Sequence, residues 1–325
     1  MIVGLQITKN KQKYINLISF IDKSKLKNVS FIHIKDEQSL IKEFKNLDVL
    51  VTYQIKPETF KYHSNKLKWI HIGSSGIEEN LFDEILKSKV LITNAKGVNS
   101  KPVSEFIISQ IMYFAKNFND CSQFKIKRTW NQWELSKKTK QLSNSTLGII
   151  GYGEIGKQLS KLAKSFGMRV LATRRLQKKV EHKKYVDSLM PISEIDQILK
   201  QSDYLSISCP LTPETNNLIN KKSFRIMKED SILINTSRGQ IVNEKDLLNA
   251  LKNNDIKGAA LDVFTLEPLN RNSELFNLDN VFLSPHISGN FLEYQEIMIT
   301  QFNEMLINFV NGKPIKNRVC KKRLY

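Results

Sequence analysis

Thr146-Leu-Gly-Ile-Ile-Gly151-Tyr-Gly153-Glu-Ile-Gly156 is the stretch whose reading decides the fold. Residues 146–150 form a short apolar run of strand type. After residue 154, Ile155, Leu159, Leu162, Ala163 and Phe166 recur at helical spacing, and Gly167 suits the stop. Gly151, Gly153 and Gly156 therefore sit in a strand–turn–helix context. Three glycines alone could be an ordinary loop. In this context the first permits a tight turn, the second lets backbone approach a pyrophosphate, and the third lets helix pack on strand. The helix N-terminus adds free N–H groups and partial positive charge. A dinucleotide cradle is expected here.

The next strand, 170–173, should end where the adenosine ribose is read. Strict NAD sites carry a carboxylate there, about 20 residues after the first glycine. This chain has Thr173, Arg174 and Arg175, with no carboxylate until Glu181. A guanidinium pairs with a 2′-phosphate, which favours NADP over NAD, although an arginine stacked on adenine would not discriminate. Further strands are expected at 204–208, 232–236, 259–262 and 281–284. Upstream, apolar runs at 2–7, 29–34, 49–52, 69–72 and 90–93 alternate with amphipathic segments. A helix is expected over 104–118, entered at Pro102, with Phe106, Ile107, Ile111 and Phe114 on one face. A last helix spans 293–310, carrying Ile297, Phe302, Met305, Leu306 and Phe309. The expected class is α/β in two domains, with doubly wound parallel sheets.

Bulk properties set the frame. The 325 residues can bury a large core, and 41% hydrophobic with 25% charged residues is ordinary globular composition. No apolar run reaches the roughly 18 residues of a membrane span. Cys121, Cys209 and Cys320 are few and widely spaced, which fits free thiols in a reducing cytoplasm. The formal charge of +18 is spread along the chain without an aromatic-interleaved basic stripe. It reads as a lysine-rich surface, so no nucleic-acid or membrane partner is expected.

Three segments then follow in order, each at the end of an expected strand: Ile234-Asn-Thr-Ser-Arg238-Gly239, Leu261-Asp262-Val-Phe-Thr-Leu-Glu267-Pro268 and Ser284-Pro-His286-Ile-Ser-Gly289. Ligands of open α/β sheets bind at the carboxyl ends of strands. Hydride addition to a ketone builds charge on oxygen, which calls for a proton donor and a positive clamp. His286 can supply the proton, Glu267 can hold the imidazole by its other nitrogen, and Arg238 can grip a carboxylate and polarise the carbonyl.

These ordered segments resemble those of the D-isomer-specific 2-hydroxyacid dehydrogenase family, which includes glyoxylate/hydroxypyruvate reductases and phosphoglycerate dehydrogenase. The resemblance extends to Pro210-Leu-Thr212-Pro213-Glu-Thr215 and to Gly97-Val98-Asn99 through Val103-Ser104-Glu105. It implies a Rossmann domain (99–289) inserted into a flavodoxin-like split substrate domain (1–98 plus 290–325), with a cleft that closes to exclude water. By resemblance, Arg238, Glu267 and His286 take the catalytic roles, and Asp262 lies where the family holds the nicotinamide carboxamide. Cofactor contacts are implied for Gly151, Gly153, Glu154, Ile155, Gly156, Thr173, Arg174, Arg175, Cys209, Pro210, Thr215, Thr236, Ser237, Arg238, Asp262, His286 and Gly289. Substrate contacts fall to Ser75, Gly76 and Ile77, where backbone N–H groups meet a carboxylate, together with Arg238 and His286. The substrate implied is a small 2-keto or 2-hydroxy acid, and the assembly a homodimer. One departure is Gln141-Leu-Ser-Asn-Ser-Thr146, where the family usually has glycines.

Trp130 and Trp133 lie in a polar stretch over 128–140 and are read either as interface aromatics or as residues reaching a partner's site. His33, His63, His71 and His182 lack a surrounding constellation and read as structural or solvent-facing. Cys209 reads as a wall residue, since no base adjoins it. No metal-ligand spacing occurs. A dinucleotide-sensing corepressor on the same scaffold is the competing reading, and a phosphite or formate dehydrogenase a third.

Overall fold

The computed structural model describes residues 1–323. It contains two compact units: Met1–Asn99 with the C-terminal segment from Phe291, and Ser100–Asn290.

The first unit is built on β1 (Ile2–Gln6), β2 (Ser30–His33), β3 (Val49–Thr52), β4 (Trp69–Ile72) and β5 (Leu91–Asn94). These pair in the order β2-β1-β3-β4-β5, all parallel. Parallel sheets are covered on both faces, which is why β3 and β4 read as continuous apolar runs and are fully buried. The C-terminal helix Tyr294–Val310 packs Met298, Ile299, Phe302, Met305 and Leu306 against Val3, Leu5, Val51 and Trp69. Ile297, expected on that buried face, is exposed.

The second unit holds β6 (Thr146–Ile150), β7 (Arg169–Arg174), β8 (Glu181–Lys183), β9 (Val186–Pro191), β10 (Tyr204–Ile207), β11 (Ile232–Asn235), β12 (Gly258–Leu261) and β13 (Val281–Leu283). Their order is β13-β12-β11-β10-β6-β7-β9-β8, parallel except for the β8–β9 hairpin. The order reverses at β6, which is the doubly wound Rossmann arrangement.

Several expectations need correction. The long helix runs Ser100–Ala115, so Pro102 lies inside its first turn, where a missing N–H costs nothing. Its buried face is Val103, Ile107, Ile108, Ile111 and Ala115, with Phe106 and Phe114 only half-buried. Phe166 is exposed. Between the long helix and β6 lie two further helices, Phe118–Lys127 and, in the polar stretch, Gln132–Lys138, neither with a buried residue. No strand was expected between β7 and β10, yet β8 and β9 lie there. Asp187 disguises β9 as loop, but its carboxylate accepts from Val170 N and Lys164 Nζ, tying β9 to the start of β7.

Candidate active site

The cradle is assembled by backbone geometry. Gly151 has φ +102°, and a Cβ there would lie 2.6 Å from Cys209 N. Only glycine fits the turn. A Cβ on Gly156 would lie 2.7 Å from Gly151 O, so the third glycine sets the helix–turn approach. Around Gly153 a Cβ would meet nothing within 4 Å. That open flank is what a diphosphate needs. Gly153 is also the N-cap of the helix Glu154–Ser165 and offers no side-chain acceptor. The first-turn N–H groups are therefore left for a ligand. Thr173 contributes its carbonyl, which accepts from Gly151 N and Tyr152 N. Ile155 is half-buried against the core, and Glu154 is exposed and paired with Lys157 at 2.8 Å. These residues fit a dinucleotide.

Arg174 and Arg175 are exposed at the end of β7. Glu181, the next carboxylate in sequence, is paired with Lys183 at 2.6 Å. Glu214 is held below its usual range by the Thr212 hydroxyl first, with the Arg175 charge among the lesser causes.

Opposite the cradle turn, Cys209 is buried, and burial pushes its thiol up to about 12. It is a wall, not a nucleophile. The Ser237 hydroxyl donates to its carbonyl. Thr215 turns its hydroxyl inward, donating to Pro210 O at 2.8 Å and accepting from Thr212 N at 2.7 Å. Thr215 therefore shapes the 210–215 loop. Thr236 and Gly289 are half-buried.

His286 and Glu267 meet: Nδ1 lies 2.7 Å from Glu267 Oε2. Glu267 Oε1 accepts from Phe264 N at 3.0 Å, so the carboxylate is aimed by its own loop. Arg238 sits in the turn after β11, where Asn235 Nδ2 donates to Arg238 O at 2.9 Å and Arg238 Nη1 donates to Ser237 O at 2.7 Å. The neighbouring Gly239 explains the juxtaposition. A Cβ on it would lie 1.9 Å from Phe264 C, so the Arg238 turn packs directly on the backbone leading to Glu267.

Asp262 has a structural function that sequence reading missed. It is buried, Oδ1 accepts from Ser284 Oγ (2.6 Å) and Ile287 N (2.9 Å), and Oδ2 accepts from Ser288 N (2.9 Å). Its carbonyl accepts from His286 N at 2.9 Å. His286 has φ +55°, a left-handed conformation costing about 1–2 kcal/mol outside glycine. Asp262 grips both flanks of that residue and holds it there. The available signal is a carboxylate at one strand end and a Ser-Pro-His at the end of the next.

In the first unit, Ser75 Oγ donates to Asn99 Oδ1 at 2.9 Å, and the Ile77 side chain is buried. Among the described residues, no N–H of Ser74, Ser75, Gly76 or Ile77 donates to a protein acceptor. His71 is fully buried, with Nδ1 2.8 Å from Thr93 Oγ1. His33 and His63 are half-buried on backbone carbonyls, and His182 is exposed. No group of metal-ligating side chains occurs among the described residues, and none of their helices is long and apolar enough to cross a membrane.

Comparison with known proteins gives one consistent result. Residues 108–288 match the family model "D-isomer specific 2-hydroxyacid dehydrogenase, NAD binding domain". The chain is 34% identical over 290 residues to a glyoxylate reductase of Thermococcus litoralis, covering 86% of this chain and 85% of that one. It is 32% identical over 284 residues to the Pyrococcus furiosus glyoxylate reductase, covering 85% and 83%. An NADPH-dependent glyoxylate/hydroxypyruvate reductase of Sinorhizobium meliloti superposes with TM-score 0.84 at 20% identity, over 100% of this chain and 99% of that one. The glycine turn, the paired imidazole and carboxylate, and these matches converge: the chain belongs to the D-isomer specific 2-hydroxyacid dehydrogenase family, NAD(P)-dependent oxidoreductases of two-domain α/β fold.

Proposed function

We propose that this enzyme reduces glyoxylate or a similarly small 2-keto acid with NADPH in preference to NADH, His286 supplying the proton. The observation that carries the catalytic assignment is the 2.7 Å contact of His286 Nδ1 with Glu267 in the unit that bears the glycine cradle. A bound nicotinamide supplies the hydride that reaches the carbonyl carbon. As the C=O pair shifts to oxygen, His286 gives that oxygen its Nε2 proton. The ring's remaining proton stays on Nδ1, facing Glu267. Arg238 binds the substrate carboxylate and stabilises charge developing on the carbonyl oxygen. The N–H row at 75–77 is read as a carboxylate-binding segment, which assigns the first unit to the substrate, and the glycine cradle assigns Ser100–Asn290 to the cofactor.

The cofactor preference rests on Arg174 and Arg175 at the end of β7 and on Glu181 being engaged by Lys183. Two guanidinium groups stand there for a 2′-phosphate, and the next carboxylate in sequence, Glu181, is paired with Lys183. The substrate size rests on the relatives, which are glyoxylate reductases. A homodimer is supported by Trp130, between the helices Phe118–Lys127 and Gln132–Lys138, and Trp133, on the second of them; they are 79% and 74% exposed, and neither helix has a buried residue. Residence in the cytoplasm is supported by three free thiols. The deciding experiment is steady-state kinetics over a panel of 2-keto acids with NADPH and NADH in parallel. The proposal expects glyoxylate or hydroxypyruvate to give the highest kcat/KM, and NADPH to exceed NADH by at least about tenfold. Equal use of both cofactors would remove the assignment of Arg174 and Arg175.

A further inference from the structure

We infer that Asn94 and Tyr294 are positioning residues for the substrate carboxylate, because they set the direction of the N–H row at 74–77. This rests on the reading of 75–77 as the carboxylate-binding segment. A trans peptide is planar, with its C=O and N–H pointing opposite ways. Whatever anchors the carbonyl of one residue therefore aims the N–H of the next.

In the segment after β4, each carbonyl from Gly73 to Gly76 has its own donor. Tyr294 Oη–H donates to Gly73 O at 2.9 Å, Ala95 N to Ser74 O at 3.1 Å, Asn94 Nδ2 to Ser75 O at 2.8 Å, and Ser74 Oγ to Gly76 O at 2.7 Å. The ends are pinned too: Gly73 N donates to Thr52 O at 2.8 Å, and the Ile77 side chain is buried. All four carbonyls are held by protein donors, so the N–H groups of Ser74, Ser75, Gly76 and Ile77, which donate to no protein acceptor among the described residues, point away from those donors and are left for an anion.

Two of the four anchors are side chains from other elements. Asn94, the last residue of β5, is buried and fixes the peptide that carries Gly76 N–H. Tyr294 opens the C-terminal helix, 221 residues from Gly73, and fixes the peptide that carries Ser74 N–H. Without the Asn94 amide, the Ser75–Gly76 peptide can rotate and present a carbonyl to the incoming carboxylate, replacing attraction with repulsion. Tyr294 acts on the first N–H of the row, outside 75–77, so its loss should matter less.

The test compares wild type with Asn94→Ala, Asn94→Asp and Tyr294→Phe. It reads glyoxylate KM and kcat at saturating NADPH, NADPH Kd, and calorimetric binding of glyoxylate in the presence of NADP⁺. Losing one hydrogen bond to a charged ligand should raise KM about tenfold in Asn94→Ala and more in Asn94→Asp, whose carboxylate cannot donate. Tyr294→Phe, which keeps the ring, should raise KM a few-fold. NADPH Kd should stay unchanged in all three, and kcat should fall less than KM rises. A purely structural function would lower Tm and leave KM alone. If both Asn94 variants keep KM and glyoxylate binding within about twofold of wild type, the inference is overturned whatever their Tm. If they do not fold, Tyr294→Phe decides: an unchanged KM overturns it and a raised KM supports it. A wild type that turns over no keto acid with either cofactor refutes the functional reading instead. The inference is then judged by glyoxylate binding alone, whose loss in the variants supports it and whose persistence overturns it.

Discussion

At β1 in the first sheet and β6 in the second, the strand order reverses, and the chain treats the following helix in opposite ways. After β1, Asn10 caps the helix Lys11–Ile18, its side chain accepting from Lys13 N at 2.9 Å. After β6, Gly153 caps the helix Glu154–Ser165 with no side chain, and its flank is open. The supports beneath are otherwise alike. Asp48 at the entry to β3 accepts from Ile2 N at 2.7 Å, and Asp203 at the entry to β10 accepts from Thr146 N at 2.7 Å. A shared winding therefore does not make a phosphate site. What sets the proposed cradle apart from its counterpart is the pairing of an uncapped helix N-terminus with a glycine whose flank is open.

The largest expected effect tests whether the chemistry belongs to the second unit. His286→Gln should lower kcat by about 10²–10⁴ while NADPH Kd, read by fluorescence, stays within about twofold. Turnover near wild type across the keto-acid panel would sink the mechanism. Next, Gly153→Asp makes the second helix resemble the first, by adding a cap and a negative charge. Stability should hold or rise slightly, since glycine and aspartate caps differ by only a few tenths of a kcal/mol, while NADPH Kd weakens by at least about tenfold. Unaltered cofactor affinity in that variant would show that the uncapped terminus is not the cradle.

The third prediction separates the two cores. Burial pushes His71, in the middle of the first sheet, from the ordinary 6.5 down to about 3. The folded-state pKa is depressed, so the stability contribution is complete above the unfolded value of 6.5. It is lost as pH falls from there towards 3. At pH 5.5 the first unit should be less stable than at neutral pH by a little over ~1 kcal/mol from this group alone. Urea midpoints followed by hydrogen exchange should show the first sheet weakening before the second, and His71→Leu should remove that part of the pH dependence. The smallest effect tests the common support. Asp48→Asn and Asp203→Asn should each cost about 1 kcal/mol in denaturant titrations, with NADPH Kd unchanged. A cofactor defect in either variant would mean that strand entry and cradle are coupled.

Legibility followed the range of the interactions. The run 146–156 was readable because its strand, turn and helix are decided by near neighbours: Gly151 needs a positive φ, and Gly153 needs open space. The candidate catalytic residues were readable as a set because each lies in the segment that follows a strand, in a fixed order. The short helices between Phe118 and Lys138 were not, since they bury nothing and so carry no apolar period. Strand β9 was hidden because Asp187 is a ladder-end acceptor for Val170 N, a role that shows only when the two strands lie side by side.

The sequence by itself determined the fold class, the cradle and the order of Arg238, Glu267 and His286, because periodicity, glycine geometry and strand ends are local properties of the chain. Only the tertiary structure decided that Asp262 holds His286 in a left-handed conformation, that Gly239 presses the Arg238 turn onto the Glu267 loop, and that Tyr294 and Asn94 hold the carbonyls of 73 and 75. Each of those is a hydrogen bond or a close approach between residues far apart in the chain. Such contacts leave no period or motif to read until folding brings the partners together.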